Sequence, residues 1–284
     1  MVFIFKGGRQ LELKNLELNA SKAIDSLTSF ITTIVSNANY SRVVLGISGG
    51  VDSALSAFLA VKALGPANVL VLRLPYKTSS SESLDHAELV IDQLGIPNKT
   101  IEITGAVDAI LENFPEISPV RRGNVMARIR MINIYDQSAE ISGLVIGTGN
   151  KTESLLGYST IHGDGAYDFN PLADLYKVQV RQLAGAVGVP RVIIDKAPSA
   201  DLWEGQTDEA ELGFTYDEMD QLLFLLVEEK LSPAACVNEG FSKDFVQWMI
   251  TRVKRYRFKS VLPLAGSVGQ FPLADLEQLP AFSK

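Results

Sequence analysis

Apolar residues recur at helical spacing across residues 20–36, where Ile24, Leu27, Phe30, Ile31 and Ile34 fall on one face. The run RVVLGIS at 42–48 is short, continuous and β-branched, which predicts a strand. Helical periodicity resumes through Ala54, Leu55, Phe58 and Leu59 and stops at Gly65. The alternation then repeats. Strands are predicted at 68–75, 99–104 and 143–149, with helices at 81–95 and 121–142. Further helical patterns occupy 175–187, 215–229 and 242–258, and the tail from Val261 has no sustained period.

Strands that are continuous Val/Ile/Leu runs and alternate with helices predict an α/β fold. Its centre would be a parallel twisted sheet with helices on both faces. Ligands of such sheets bind beyond the carboxyl ends of the strands. That rule directs attention to Ser48–Ser53, Pro75–Ser81 and Gly147–Glu153. Neither a linker nor an internal repeat interrupts the 284 residues, so one domain spanning 1–284 is expected.

In the first of these loops, SGGVDS at 48–53, Gly49 and Gly50 permit positive φ and close approach of an anion to the backbone. The helix start adds partial positive charge, and Ser48 and Ser53 offer hydroxyls. Asp52 would repel a phosphate unless a cation stood between them, so its carboxylate implies Mg²⁺. Taken alone, the loop reads equally as a plain turn in which Asp52 or Ser53 caps the helix. It matches neither GxxxxGK[ST] nor GxGxxG.

The stretch GTGNKTESLLGYSTIHGDGAYDFNPLADLYKVQV at 147–180 weighs against the plain turn. Glu153 follows the fourth strand closely enough to face Asp52, and two carboxylates from separate strand ends suit a magnesium ion that bridges phosphates. Thr148 and Lys151 lie at the same edge, Asp164 and Asp168 follow in a glycine-rich loop, and Lys177 opens the next helix. Each has an ordinary alternative as a helix-start acid, turn former or solvated lysine. His162 reads more readily as structural than as a ligand.

Composition removes other classes. A single cysteine, Cys236, rules out an intrachain disulfide framework, and with only His86 and His162 a Cys- or His-rich metal site is excluded. The N-terminal apolar run is too short for a signal peptide, and no run approaches the ~20 residues that span a bilayer, so a cytoplasmic protein is expected. A net charge of −7 argues against broad nucleic-acid binding, although RVKRYRFK at 252–259 is locally basic.

The loop SGGVDS resembles the SGGxDS signature of the ATP pyrophosphatase, or PP-loop, family, whose Rossmann-like, adenine nucleotide alpha hydrolase-like fold it therefore implies. The 147–180 stretch, with RGNVMARIRM at 122–131 and KAPSADLWEGQTDEAELGFTYDEMD at 196–220, is similar to the ammonia-dependent NAD⁺ synthetases within that family. The resemblance runs from about Leu45 to Lys259. It implies that Gly46, Ile47, Ser48, Gly49, Gly50, Val51, Asp52 and Ser53 hold ATP phosphates, with Thr148, Lys177 and Ser199 as further ATP contacts. It places Mg²⁺ on Asp52 and Glu153. Nicotinic acid adenine dinucleotide would meet Arg128, Asp168 and the Phe258–Lys259 pair. Ile161 stands where that family often has a lysine, Ser199 where it has threonine, and Phe258 where it has histidine.

The activity implied is adenylation of the nicotinate carboxylate with release of pyrophosphate, then attack by ammonia to give NAD⁺ and AMP. A homodimer is implied, with helix 121–142 as its candidate interface. Residues 200–214 read as a lid, and no glutaminase domain is expected. Cys236 reads as a small core residue. The competing readings are a PP-loop enzyme that transfers sulfur or an amide to tRNA or another carboxylate, and a nucleotide sensor without turnover. The first would call for a basic face or catalytic cysteines, and the second would have no use for Glu153, Lys177 and Asp168 together.

Overall fold

A computed structural model of the chain describes residues 2–4, 10–12, 16–199, 205 and 207–260. Two short antiparallel strands, β1 (Val2–Ile4) and β2 (Gln10–Glu12), precede α1 (Ala20–Asn37). The sheet is then built from β3 (Val43–Gly46), α2 (Val51–Leu64), β4 (Val69–Arg73), α3 (Ser81–Leu94), β5 (Asn98–Thr100), α4 (Thr104–Leu111), α5 (Pro119–Ile141) and β6 (Leu144–Val145). After it come α6 (Lys151–Leu156), α7 (Lys177–Val187), α8 (Arg191–Ile194), α9 (Asp208–Leu212), α10 (Tyr216–Val227), α11 (Pro233–Asn238) and α12 (Lys243–Tyr256).

The four main strands run parallel in the order β5-β4-β3-β6. The chain thus moves outward from β3 to β5 and then crosses back to place β6 on the other side of β3. That reversal opens a crevice between the carboxyl ends of β3 and β6.

Alternation along the strands divides the interior. Val43 and Leu45 of β3 pack with Val69 and Val71 of β4 into a core with Ile31 of α1, Leu55 and Leu59 of α2, Val90 of α3 and Leu183 of α7. Val44, Leu70 and Leu72 point to the opposite face, where they meet Val107 of α4 and Met126 of α5. Helices therefore cover both faces, as the strand composition predicts. A second body of apolar packing joins Leu156, Val178, Tyr216, Met219, Leu222, Cys236 and Phe245, and unites α6 and α7 with α10, α11 and α12. Cys236 is fully buried there, in keeping with a core role.

Two predicted strands are shorter than their apolar runs. The run at 99–104 ends as a strand at Thr100, because β5 is an edge strand paired only with β4. Ile103 already has helical φ and ψ and is buried under α4. In the 143–149 run, only Leu144 and Val145 form β6, and Ile146 continues as one parallel bridge to Phe169. The helix expected from 175 begins at Lys177, since Tyr176 is extended and its N–H donates to Gln179. The tail from Val261 and part of the expected lid, residues 200–204 and 206, lie outside the described residues; Asp208–Leu212 within that stretch is helical.

Candidate active site

The carboxyl ends of β3, β4 and β6 open into a cavity of about 940 Å³. All three loops expected from the ligand rule reach it, through Ser48–Ser53, Pro75–Ser80 and Gly147–Glu153. Gly46, Ile47, Ser48, Gly50, Val51, Asp52, Ser53, Thr148, Glu153, Lys177, Ser199 and Lys259 all line it.

The glycine loop is closed by its own hydroxyls. Ser48 and Ser53 lie 3.0 Å apart, oxygen to oxygen, the Ser53 hydroxyl donates to the Gly50 carbonyl, and the Gly50 N–H donates to Ser48. Gly49 has φ of 77°, and a Cβ there would stand 2.2 Å from the Ser83 carbonyl oxygen at the start of α3. Only glycine lets the loop pass so close to α3. Gly50 caps α2 without a side-chain bond, so neither Asp52 nor Ser53 serves as the cap that a plain turn would need. The start of α2, Val51–Ser53, lines the cavity, and its first-turn N–H groups carry partial positive charge.

Asp52 turns instead toward β6. Its Oδ1 accepts the Asn150 amide at 2.8 Å, and its Oδ2 faces Lys177 Nζ at 2.5 Å. Asn150, fully buried, caps α6 in a reciprocal box: the Glu153 N–H donates to Asn150 Oδ1, and the Asn150 N–H donates to Glu153 Oε2. The remaining oxygen, Glu153 Oε1, lies 3.3 Å from Lys177 Nζ. Each carboxylate thus has one oxygen fixed by Asn150 and the other turned toward a shared cation.

Electrostatics follow from burial. Burial works against the Lys177 charge, but Asp52 and Glu153 more than offset it and hold the ammonium pKa above its ordinary value. Burial raises the Glu153 carboxyl, Lys177 opposes this, and the nearby Asp52 adds to the rise. The Lys177 ammonium also stands 5.0 Å over the Tyr216 ring. Tyr216 and Tyr158 donate to the two oxygens of Asp208 at 3.0 and 3.1 Å, which sets a third acid at the rim of the cavity.

Among the described residues no group of three or more His, Cys, Asp or Glu is arranged to hold a metal ion. Two carboxylates that each turn one oxygen to the same cation, Lys177, nonetheless fit Mg²⁺, which commonly takes one or two carboxylates and completes its shell with substrate phosphates and water.

The expected dinucleotide contacts separate into two groups. Lys259 lines the cavity and donates to the Gly157 and Ser159 carbonyls at 2.8 and 2.7 Å, and burial lowers its pKa. Arg128, Asp168 and Phe258 do not line it. Arg128 is exposed on α5 and donates to the Ile161 carbonyl at 3.3 Å. Asp168 accepts the Val145 N–H at 2.7 Å and the Tyr135 hydroxyl at 3.4 Å. Phe258 is 61% exposed. Lys151, which the sequence groups with the loop edge, instead pairs with Asp174 and Glu228.

Sequence reasoning missed Asn150, Tyr158, Asp208 and Tyr216. For Asn150 a signal existed, because Asn-x-x-Glu before an apolar pair is a helix-start pattern that fixes the orientation of Glu153. Lys196 also borders the cavity and contacts the Ser83 hydroxyl at 3.1 Å.

A family model described as NAD synthase matches residues 23–263. The NH3-dependent NAD⁺ synthetase of Chlorobaculum tepidum is 49% identical over 251 residues, covering 88% of this chain and 91% of its own. The NH3-dependent NAD⁺ synthetase of Fusobacterium nucleatum subsp. nucleatum is 45% identical over 256 residues, covering 90% and 99%. Among solved structures, the NH3-dependent NAD synthetase from Campylobacter jejuni, in complex with a nitrate ion, superposes with a TM-score of 0.76 at 32% identity, covering 88% of this chain and 100% of that one. NMN synthetase from Francisella tularensis superposes with a TM-score of 0.78 at 34% identity, covering 88% and 99%. With most of its length matched by the family model and these relatives, the chain belongs to the NAD synthase family.

Proposed function

We infer that the chain makes NAD⁺ from nicotinic acid adenine dinucleotide, ATP and free ammonia. The observation that carries this reading is the pair of half-fixed carboxylates, Asp52 and Glu153, facing one cation beside the glycine loop at the β3–β6 crevice. A carboxylate substrate cannot acylate ammonia directly, because an oxide-like leaving group would have to depart. Transfer of AMP to that carboxylate supplies a leaving group and releases pyrophosphate. Ammonia then attacks the acyl carbon and AMP departs.

No side chain need act as a nucleophile. The uncapped start of α2 and the Gly46–Ser53 loop would hold the phosphates, with Thr148 and Ser199 at the cavity wall. Lys177 would exchange its carboxylate partners for phosphate oxygens and neutralise charge that builds up as pyrophosphate leaves. Asp52 and Glu153 would hold Mg²⁺, which when bound offsets the repulsion among the phosphate oxygens. The buried surroundings of Glu153 and Lys177 limit water, which would otherwise hydrolyse the activated acyl group.

The relatives at 45–49% identity are named for NAD⁺, and one structural neighbour for NMN, so substrate length is the point to test. Purified chain with Mg²⁺, ATP and an ammonium salt should convert the dinucleotide to NAD⁺, AMP and pyrophosphate with a kcat/KM well above that for nicotinic acid mononucleotide. Preference for the mononucleotide would replace this reading with the shorter substrate. A cytoplasmic setting suits the substrates, and among the described residues no helix is long and apolar enough to cross a membrane.

A further inference from the structure

Asp220 is fully buried on α10 and does not line the cavity, so neither solvent nor substrate accounts for a carboxyl at that position. A buried carboxyl is costly, and a well-packed apolar residue is often no worse for stability. Its bonds indicate what it does. Oδ1 accepts the Thr152 hydroxyl at 2.5 Å, and Oδ2 accepts the Val178 N–H at 2.8 Å. Thr152 Oγ1 in turn accepts the Lys177 N–H at 3.0 Å. Thr152 is the neighbour of Glu153, and Val178 the neighbour of Lys177.

One carboxyl therefore grips both elements that carry the charged pair. The first N–H groups of a helix have no intrahelical acceptor, and Asp220 together with Thr152 satisfies two of those on α7. Tyr216, one turn earlier on α10, underlies the Lys177 ammonium and bonds Asp208. The same helix is anchored on its other side by Met219, Leu222 and Leu223 in the second apolar core. We propose that Asp220 is a positioning residue that, through Thr152 and the first turn of α7, sets Lys177 against Glu153 in the ATP site.

The inference rests on the adenylating reading of that site. In Asp220→Asn an amide offers one acceptor and one donor, so either the Thr152 hydroxyl or the Val178 N–H loses its partner. Thr152→Val deletes the relay with little change of shape, and Thr152→Ser restores the hydroxyl. Leu222→Ala serves as the control, since it weakens the same helix from the core side. Pyrophosphate release at saturating substrates, magnesium–ATP binding by calorimetry and the thermal midpoint should be measured for each.

Asp220→Asn and Thr152→Val should lose about 10- to 100-fold in turnover and in magnesium–ATP affinity, as supporting residues of a metal site commonly do. Thr152→Ser should stay close to wild type, KM for the dinucleotide should hold, and Leu222→Ala should lower the thermal midpoint without lowering turnover. If Asp220→Asn fails to fold, the Thr152 pair decides. Full turnover in Thr152→Val, or an equal loss in Leu222→Ala, overturns the proposal. Were the wild-type chain to make no NAD⁺, the adenylating reading would fall, and undiminished magnesium–ATP binding by Thr152→Val would separately overturn this one.

Discussion

Asp52 and Glu153 are matched in a way that charge alone does not explain, because Asn150 engages one oxygen of each and leaves the other toward Lys177. Replacing either carboxylate with its amide keeps the size but removes an anionic oxygen from the proposed cation. Asp52→Asn and Glu153→Gln should each lower pyrophosphate release by about 10²- to 10³-fold, the scale of losing one preorganised electrostatic contact. Full activity in either variant at ordinary Mg²⁺ would remove that residue from the site. Asp220 makes a prediction of a different kind. Burial raises its carboxyl to about 7, against the lowering bonds from Thr152 and Val178. The folded chain keeps a proton there that the unfolded chain releases near pH ~4, so this residue's contribution is full at acid pH and falls as pH rises toward about 7. Thermal midpoints of wild type and Asp220→Asn should thus shift in the variant's favour between about pH 5 and about pH 8. A constant difference over that range would show that Asp220 does not titrate there.

Helix α6 has only six residues, yet it carries Glu153, and its direction depends on the box that Asn150 closes. Asn150→Ala should cost about 0.5–2 kcal/mol in stability through the lost cap. It should also reduce turnover, because Asp52 loses its amide donor in the same change. A variant that lost stability but kept wild-type turnover per folded molecule would confine Asn150 to capping. Elements of this kind divide what the sequence discloses from what it does not. The glycine loop was legible because its strand, turn and helix are consecutive and each has a local pattern. Glu153 and Lys177 were legible as neighbours of such boundaries and by resemblance. Asp220 and Tyr216 were not, since α10 reaches α6 and α7 only through tertiary contacts, with Asp220 68 positions beyond Thr152. The truncation of β5 and β6 was equally hidden, because strand length at a sheet edge depends on which partner lies alongside. Arg128 sits on a helix that was correctly predicted, but periodicity does not say which of its polar residues face the cavity.

Arg128, Asp168 and Phe258 do not line the single-chain cavity, so a dinucleotide that met them would have to extend beyond it. A second copy of the chain meeting the α5 surface would bring those residues to a shared site, and α5 offers exposed Val120 and Ile132 beside Arg128. The expected assembly is therefore a symmetric dimer of the 30.9 kDa chain, measurable by light scattering at micromolar concentration. Symmetry gives a sharper test. Arg128→Ala should raise KM for the dinucleotide far more than KM for ATP, and Asp52→Asn should fail at adenylation. If the two residues serve one site from different subunits, mixing the two variants and allowing exchange creates mixed dimers with one intact site and one doubly defective site, read at a dinucleotide concentration far below the raised KM of Arg128→Ala. With random pairing, half the dimers are mixed and half their sites are intact, so roughly a quarter of wild-type activity should return. No recovery in a dimer that demonstrably exchanges would place Arg128 and Asp52 in the same subunit's site. A monomer by light scattering would remove the shared site altogether.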